Sequence, residues 1–156
     1  ALSRPLPSAA LCWLAAQIEP TNPTLLRGAS LFDPDRGRLL GRAIMPAMRI
    51  QLLSCGGSVD TVLAREHRPR WTAAQRCELS RILELTRTAL GAGDLRLLAR
   101  ASTRSALLHA ERSERSDILR AWEFARRHHA LGIAVSHSGS SIVALHPPDA
   151  RGCRHA

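Results

Sequence analysis

The sequence predicts an α+β fold in which helices pack on one face of a mostly antiparallel sheet. Three observations support this prediction: β-type segments between residues 31 and 64, helical segments between 72 and 131, and final strands at 132–137 and 141–146. Strands followed by helices and then strands, without strict alternation, are typical of this class rather than of a parallel α/β sheet. The length of 156 residues suits about one domain with a real core.

The first half of the chain begins with a short helix and continues with β-type segments. Ser8 is expected to cap the helix, and Pro20 to end it, because the residue before a proline avoids the helical region. The predicted apolar face of this helix consists of Leu11, Leu14, Ala15 and Ile18. After the loop EPTNPTLLRGAS come LFD, a DPDRG turn, RLLGRAIM, RIQLL, a CGGS turn and VDTVLA.

Three helices are predicted in the second half. Thr72 and Gln75 form a capping box for the first helix, which Gly91 is expected to end. Asp94 and Ser116 are the expected caps of the second and third. The predicted inward faces are Leu79, Ile82, Leu83, Thr86 and Leu90; Leu97, Leu98, Ala101, Ser105 and Leu108; and Ile118, Trp122, Ala125 and His129. Leu131 and Gly132 are expected to close the third helix, with His129 half-buried, and residues 149–156 to form a disordered tail.

The net charge of +9 raises the question of a nucleic-acid partner. All 22 basic residues are arginines, dispersed along the chain, and Phe and Trp together number five with no Tyr. Such a composition supplies few aromatic platforms for single strands, and the stripe formed by Arg96, Arg100 and Arg104 is explained by a solvated helix face. A basic nucleic-acid-binding domain therefore stays a minor alternative, and an anionic small molecule is favoured.

Cysteine spacing and hydropathy bear on the compartment. The four cysteines are far apart and form no CxxC pair, which argues against a zinc site or a disulfide framework and favours reduced thiols in the cytoplasm. Each is expected to be a structural residue. The longest uncharged helical stretch, residues 5–18, is too short to span a bilayer, so no membrane partner is expected.

The segment SHSGSS, residues 136–141, places small residues and one histidine between two β-branched runs. Successive backbone N–H groups and hydroxyls of Ser138, Gly139 and Ser140 could face one anion, forming a nest. Gly139 would allow a positive φ and a close backbone approach. His137 could donate a hydrogen bond to a phosphate or carboxylate. The alternative is a Ser-rich turn with no ligand.

Three stretches together resemble the GHMP kinases. AVSHSGSSIVAL resembles their third motif, a strand, a Gly/Ser loop and a strand, and its internal histidine is similar to the L-threonine kinases of cobalamin synthesis and propanediol utilisation. EPTNPT with LFDPDRG, and CGGSVDTVLA, are similar to further segments of those enzymes, in the same order. The resemblance extends from about residue 5 to residue 148.

The resemblance implies an ATP-dependent kinase with a ferredoxin-like C-terminal domain. The substrate would be the hydroxyl of L-threonine or a similar small alcohol, with ATP and Mg²⁺ as phosphoryl donor and cofactor. Residues 1–30 would be the remnant of the ATP-binding domain, 31–148 the C-terminal domain and 149–156 the tail. Because the family's upstream phosphate loop has no counterpart before Gly28, we expect the C-terminal half of a kinase, inactive alone. A non-catalytic, small-molecule-binding remnant is the alternative. The sequence does not indicate the oligomeric state.

The resemblance also assigns site residues. Ser136, Ser138, Gly139 and Ser140 would form the phosphate loop, with His137 beside the substrate. In EPTNPT, Glu19 would face a substrate ammonium group, and Thr21 and Thr24 its carboxylate or hydroxyl. Asn22 stands where these kinases usually have an aspartate that accepts the hydroxyl proton, and an amide cannot take that proton. Asn22 would then orient the hydroxyl. The alternative for EPTNPT is a loop that only ends a helix.

Overall fold

The computed structural model describes residues 7–18, 28–33, 36, 38–55, 70–136 and 139–150. The chain divides into two compact units, Ala1–Met45 and Pro46–Ala156. The two units are defined by the compactness of the chain. The predicted domain boundary after residue 30 was drawn from the family resemblance, and it stays a prediction. Within the described ranges, no helix is long and apolar enough to cross a membrane.

The first unit contains a helix and a two-stranded antiparallel ribbon. Helix α1 spans Ser8–Ile18, strand β1 spans Ala29–Asp33, and strand β2 spans Arg38–Ala43. These bounds confirm the predicted helix and the LFD strand, whereas β2 ends two residues before the predicted segment RLLGRAIM does. The predicted apolar face of α1 is wrong, because Leu11 and Leu14 are exposed whereas Cys12 is buried. Periodicity identifies the apolar side of a short helix, but the neighbours decide which part of that side is covered.

The second unit contains a three-stranded antiparallel sheet. Strands β3 (Arg49–Cys55), β4 (Gly132–Val135) and β5 (Ser141–His146) are arranged in the order β3-β5-β4. The bounds of β5 confirm the predicted final strand, and β4 ends two residues earlier than predicted. The stretch VDTVLA lies outside the described residues.

Three helices accompany this sheet: α2 (Ala73–Ala92), α3 (Leu95–Ser113) and α4 (Ser116–Arg127). The capping box is confirmed, since Gln75 N donates to Thr72 Oγ1 at 3.2 Å and Thr72 N donates to Gln75 Oε1 at 3.1 Å. Asp94 is also confirmed as a cap, its Oδ1 accepting from Leu97 N at 2.9 Å. Caps can be read from sequence because they depend on residues three positions apart.

Several predicted helix ends are wrong by a few residues. Helix α2 continues through Gly91, and Gly93, with φ 64°, is its C-cap. Arg115 occupies the N-cap of α4, so Ser116 is the first helical residue and not the cap. Helix α4 ends at Arg127, and His129 has a left-handed φ of 56° and is exposed rather than half-buried. Gly132 begins β4 instead of closing the helix.

The core of the second unit lies between the helices and one face of the sheet. Its buried members are Ala106, Ala110, Ile118, Ala125, Ile133, Ile142 and Ala144. Helix α3 contacts β4, and α4 contacts both β4 and β5. The predicted α+β class is therefore confirmed. Two residues expected to face inward, Leu83 and Ser105, are exposed. Their helical spacing fits the apolar stripe, but none of the described elements covers that edge of it.

Helix α3 and the sheet approach each other closely at Gly132. A Cβ atom there would collide with Ala99 O and Thr103 Oγ1 and would lie 2.9 Å from Ala99 C. The buried Thr103 hydroxyl donates to Ala99 O at 2.8 Å and accepts from Ile133 N at 3.0 Å. The Thr103 side chain thus links α3 to the start of strand β4. Only a glycine at position 132 leaves room for this contact.

The described chain ends in a turn after β5. Asp149 lies in this turn, which is closed by a bond of 3.1 Å from Ala150 N to Pro147 O. Arg49 Nη1 donates to Ala150 O at 2.5 Å, which ties the turn to β3. The disorder expected for residues 149–156 stays a prediction, and residues 151–156 lie outside the described residues.

Candidate functional site

Part of the predicted site can be located in the structure. Ser136, Gly139 and Ser140 are described. Outside the described residues lie Glu19, Thr21, Asn22, Thr24, His137 and Ser138. The roles of these six residues stay predictions. The part of the candidate site that the structure describes is the loop between β4 and β5.

The loop is held by its own hydrogen bonds. Ser136 N donates to Ser141 O at 2.9 Å, and Ser141 N donates to Ser136 Oγ at 3.0 Å. Gly139 N donates to Ser136 O at 2.8 Å. Gly139 is buried and has a φ of 78°, which confirms the predicted left-handed conformation. The loop is thus a closed turn rather than an open chain.

This turn changes how the loop could bind an anion. The predicted nest required the Gly139 N–H to point at the ligand, but that N–H is used within the turn, on Ser136 O. Two side chains with N–H groups lie beside Gly139 instead. An ideal Cβ on Gly139 would lie 3.1 Å from Arg115 Nη1 and 3.2 Å from His109 Nε2. A guanidinium and an imidazole therefore pack directly on the glycine.

Arg115 is fixed in this position by Asp117. Its Nε and Nη2 donate to the two carboxylate oxygens at 2.7 and 2.5 Å, a paired arrangement typical of strong Arg–carboxylate contacts. The same Nη2 donates to Gly139 O at 3.1 Å. The hydrogen bonds from Arg115 hold the pKa of Asp117 below its usual value. The same contact raises the pKa of Arg115. Both groups are therefore charged at neutral pH.

A cleft of about 250 Å³ adjoins the loop. Its described lining comprises Trp71, Leu79, Ser102, Ser105, Ala106, His109, Arg112, Val135 and Ser136. The Arg112 guanidinium lies over the Trp71 ring, 3.8 Å from its centroid, which restricts its orientation. Among these lining residues none is acidic, while one is an arginine and one a histidine. The cleft suits a small polar molecule that carries negative charge.

Most of this lining was missed by the sequence analysis. Ser102, Ser105, His109 and Arg112 are spaced by three and four residues, so they share one face of α3. That polar stripe was the available signal. The sequence also contains the more regular stripe of Arg96, Arg100 and Arg104. In the structure, Arg104 forms an ion pair with Glu78 of α2. Arg96 and Arg100 are exposed, as predicted for a solvated face.

The described residues include no group of three or more His, Cys, Asp or Glu side chains that could hold a metal ion.

Two free cysteines are described, Cys12 and Cys77. Cys12 is buried, as a structural thiol is expected to be, whereas Cys77 is exposed. Neither lines the cleft, so neither thiol is assigned a role in the candidate site.

Residues 86–153 match the family model described as GHMP kinases C terminal. The matched segment runs from within α2 past the last described residue and includes the β4–β5 loop. It also includes the whole polar stripe of α3. Residues 86–153 are thus similar to the C-terminal domain of the GHMP kinases, as the sequence resemblance predicted for this part of the chain.

A crystal structure of homoserine kinase from Cytophaga hutchinsonii is similar to this chain at 20% sequence identity, with a TM-score of 0.46. The aligned part covers 68% of this chain and 35% of that one. The chain therefore spans about a third of the length of that enzyme. No curated protein sequence matches the chain.

Proposed function

We propose that the full-length protein is a GHMP-type kinase that transfers the γ-phosphoryl group of ATP to the hydroxyl of L-threonine or a similar small alcohol. The observation that carries this proposal is the family match of residues 86–153, which contains the closed Gly/Ser loop and its basic neighbours. The narrower choice of L-threonine and of cobalamin side-chain synthesis rests on the sequence resemblance of the loop and of EPTNPT.

The described residues suit phosphoryl transfer because this reaction requires positioning and charge stabilisation more than covalent chemistry by the protein. The acceptor hydroxyl oxygen forms a bond to the γ-phosphorus, the bond to the bridging oxygen breaks, and ADP leaves. The hydroxyl proton is released. In our proposal the loop residues Ser136, Ser138, Gly139 and Ser140 face the transferred group. The His109 ring, which lies beside Gly139, would donate a hydrogen bond to this group.

The substrate side of the site is proposed from sequence. Glu19 would bind the ammonium group of the amino acid, and Thr21 and Thr24 its carboxylate or hydroxyl. His137 would donate to the substrate from the loop. Asn22 would orient the attacking hydroxyl through a hydrogen bond, because an amide cannot accept its proton. Pro20 and Pro23 would stiffen this segment and reduce the entropy lost on binding.

ATP would be the phosphoryl donor, and Mg²⁺ would accompany it, neutralising charge on the phosphates when bound. The proposal assigns no protein ligand to the metal. The separated cysteines, which form no CxxC pair, support a reducing, cytoplasmic environment.

The decisive experiment is a kinase assay on the full-length protein with ATP, Mg²⁺ and a panel of L-threonine, L-serine and L-homoserine. We expect phosphorylated product, with kcat/KM for L-threonine at least about tenfold above the others, about 1.4 kcal/mol of discrimination. Product with another alcohol would correct the substrate and retain the kinase. Amino-acid binding without turnover would support the non-catalytic remnant, and tight DNA binding with a steep salt slope would contradict both.

The Asn22 proposal has its own test in the same assay. We expect Asn22→Asp to raise kcat about two- to twentyfold, below the usual range of general-base effects, because the hydroxyl proton leaves late in a loose transition state. KM for the amino acid should change little. If Asn22→Asp and Asn22→Ala both leave kcat and KM at wild-type values, residue 22 does not face the hydroxyl.

A further inference from the structure

Arg115 and Asp117 form an ion pair beside the loop, and the proposed function gives Asp117 no role. The two carboxylate oxygens of Asp117 accept from Nε and Nη2 of Arg115 at 2.7 and 2.5 Å. Both side chains are about a third exposed, at 33% and 35%. An ion pair this exposed contributes little to stability, since water screens it and two side chains must be ordered. Stability alone therefore does not account for the arrangement.

The pair reaches a part of the chain that is distant in sequence. Arg115 Nη2 also donates to Gly139 O at 3.1 Å, across 24 residues. Arg115 stands at the N-cap position of α4 but makes no side-chain cap bond there, so its guanidinium is directed to Asp117 and to the loop. The junction of α3 and α4 is thereby tied to the tip of the β4–β5 turn.

The contact at Gly139 leaves little freedom for the guanidinium. Arg115 Nη1 and His109 Nε2 pack against the position where a Cβ would stand on Gly139, at 3.1 and 3.2 Å. The backbone of Gly139 is itself held by the bond from its N–H to Ser136 O. A rotated guanidinium would therefore move the Gly139 carbonyl, and with it the turn that begins at Ser136 and lines the cleft.

We propose that Asp117 is a positioning residue for the Gly/Ser loop, acting through Arg115. Its carboxylate fixes the plane of the guanidinium, and the guanidinium fixes the Gly139 carbonyl and the orientation of the loop. This inference rests on the proposed kinase function for its catalytic consequence, while its structural consequence can be measured independently. Asp117 itself touches neither the cleft nor the proposed substrate.

The test uses the full-length protein and the variant Asp117→Asn. An amide can accept one of the two Arg115 bonds, but its NH₂ group opposes the second, so the fork is lost. We expect the Gly139 and Ser141 amides to exchange hydrogen at least about threefold faster, because exchange reports on local opening. We also expect kcat to fall about tenfold with KM values nearly unchanged, since slight misplacement of a positioned group is costly.

Two further variants complete the test. Asp117→Glu retains a carboxylate and is expected to recover most of kcat. Arg115→Lys retains the charge but offers one ammonium in place of a fork, and is expected to reproduce the loss. The matched control is Glu78→Gln, which breaks the ion pair between Glu78 of α2 and Arg104 of α3. It should leave both loop exchange and kcat unchanged.

The two readouts separate the possible failures. If Asp117→Asn leaves the exchange of the loop amides at the wild-type rate, the positioning role is overturned, whatever the activity. If the wild-type protein phosphorylates no alcohol, the proposed function fails, and the exchange rates alone decide the positioning role. An equal loss of kcat in Glu78→Gln and in Asp117→Asn would also overturn the positioning role. The loss would then follow from breaking any ion pair, not from releasing Arg115.

Discussion

The two ends of the β4–β5 hairpin contrast in what holds them. One end, here called the packing end, contains Gly132, Ile133, Leu145 and His146. These residues lie against helix α3 or are joined by backbone hydrogen bonds, and Leu131 N donates to Leu145 O at 2.8 Å. At the other, the loop end, Ser136, Gly139, Ser140 and Ser141 form a closed turn beside charged side chains. Apolar and backbone contacts dominate the first end, and polar contacts the second.

Each end requires a glycine, for a different physical reason. Gly132 lacks room for any side chain because backbone atoms of α3 stand where a Cβ would be. At Gly139 the described atoms nearest an added Cβ belong to side chains, but its φ of 78° is strained for other residues. The contrast indicates that the packing end serves stability, whereas the loop end is the part that our proposal places against a ligand.

The largest effect is expected for Gly132→Ala. The added methyl group would meet Ala99 O, a backbone atom that cannot turn aside, and would disturb Thr103. We expect the free energy of unfolding to fall by about 3 kcal/mol, the upper part of the range for overpacking. Urea denaturation of the full-length protein measures this.

The matched control for that variant is Gly91→Ala in helix α2, where nothing lies within 4 Å of an added Cβ. It should be neutral or stabilising by about 0.5–1 kcal/mol, because alanine has the higher helix propensity. Equal stabilities for the two variants would contradict the close packing at Gly132.

A smaller and different effect is expected for Gly139→Val. The side chain would meet Arg115 and His109 and would strain a left-handed backbone. In the kinase assay we expect kcat/KM of the full-length protein to fall more than about tenfold, about 1.4 kcal/mol of transition-state stabilisation. The loss of folding stability should be smaller than for Gly132→Ala, because the described atoms nearest the added Cβ belong to side chains rather than to the backbone.

Gly41→Val in β2 provides the control for this change, since an added Cβ there has nothing within 4 Å and no positive φ is involved. It should leave turnover unchanged. Normal turnover in a folded Gly139→Val variant would make the loop end an ordinary turn and would remove the contrast between the two ends.

The smallest effect is a pH dependence at the packing end. Burial, with further contributions from the charges of Arg49 and His128, lowers the pKa of His146 below its ordinary value of 6.5. The unfolded chain therefore takes up the proton first as the pH falls, and stability present above pH 6.5 is lost as the pH decreases toward the folded value. His146 Nε2 lies 3.2 Å from Gln51 Oε1, so the neutral ring has a partner.

We expect the melting temperature to drop less between pH 7.5 and pH 5.5 in His146→Gln than in the wild type, since an amide retains a donor for Gln51 but does not titrate. Parallel drops in the two proteins would show that His146 does not contribute to the acid sensitivity of this end.

Local chemistry in the sequence was sufficient for much of the fold. The capping box at Thr72, the cap at Asp94, the positive φ of Gly139 and the bounds of β5 were all predicted. Each depends on residues within a few positions of one another, so the sequence carries it directly. The ends near Gly91, Ser116 and His129 were predicted wrongly, because competing signals of similar strength lie one or two residues away.

The order of the segments, strands followed by helices and then strands without strict alternation, determined the α+β class from the sequence by itself. The small residues between the last two strands pointed to the Gly/Ser loop as the candidate site. Only the tertiary structure decided what stands against that loop. Arg115 meets Gly139 across 24 residues, and the polar stripe of α3 meets Ser136 at the cleft. No local pattern encodes such contacts, because they arise when α3 packs on β4 and brings separate segments together. Burial followed the same rule: Cys12 and Ser105 took positions that depend on which neighbour covers each helix face.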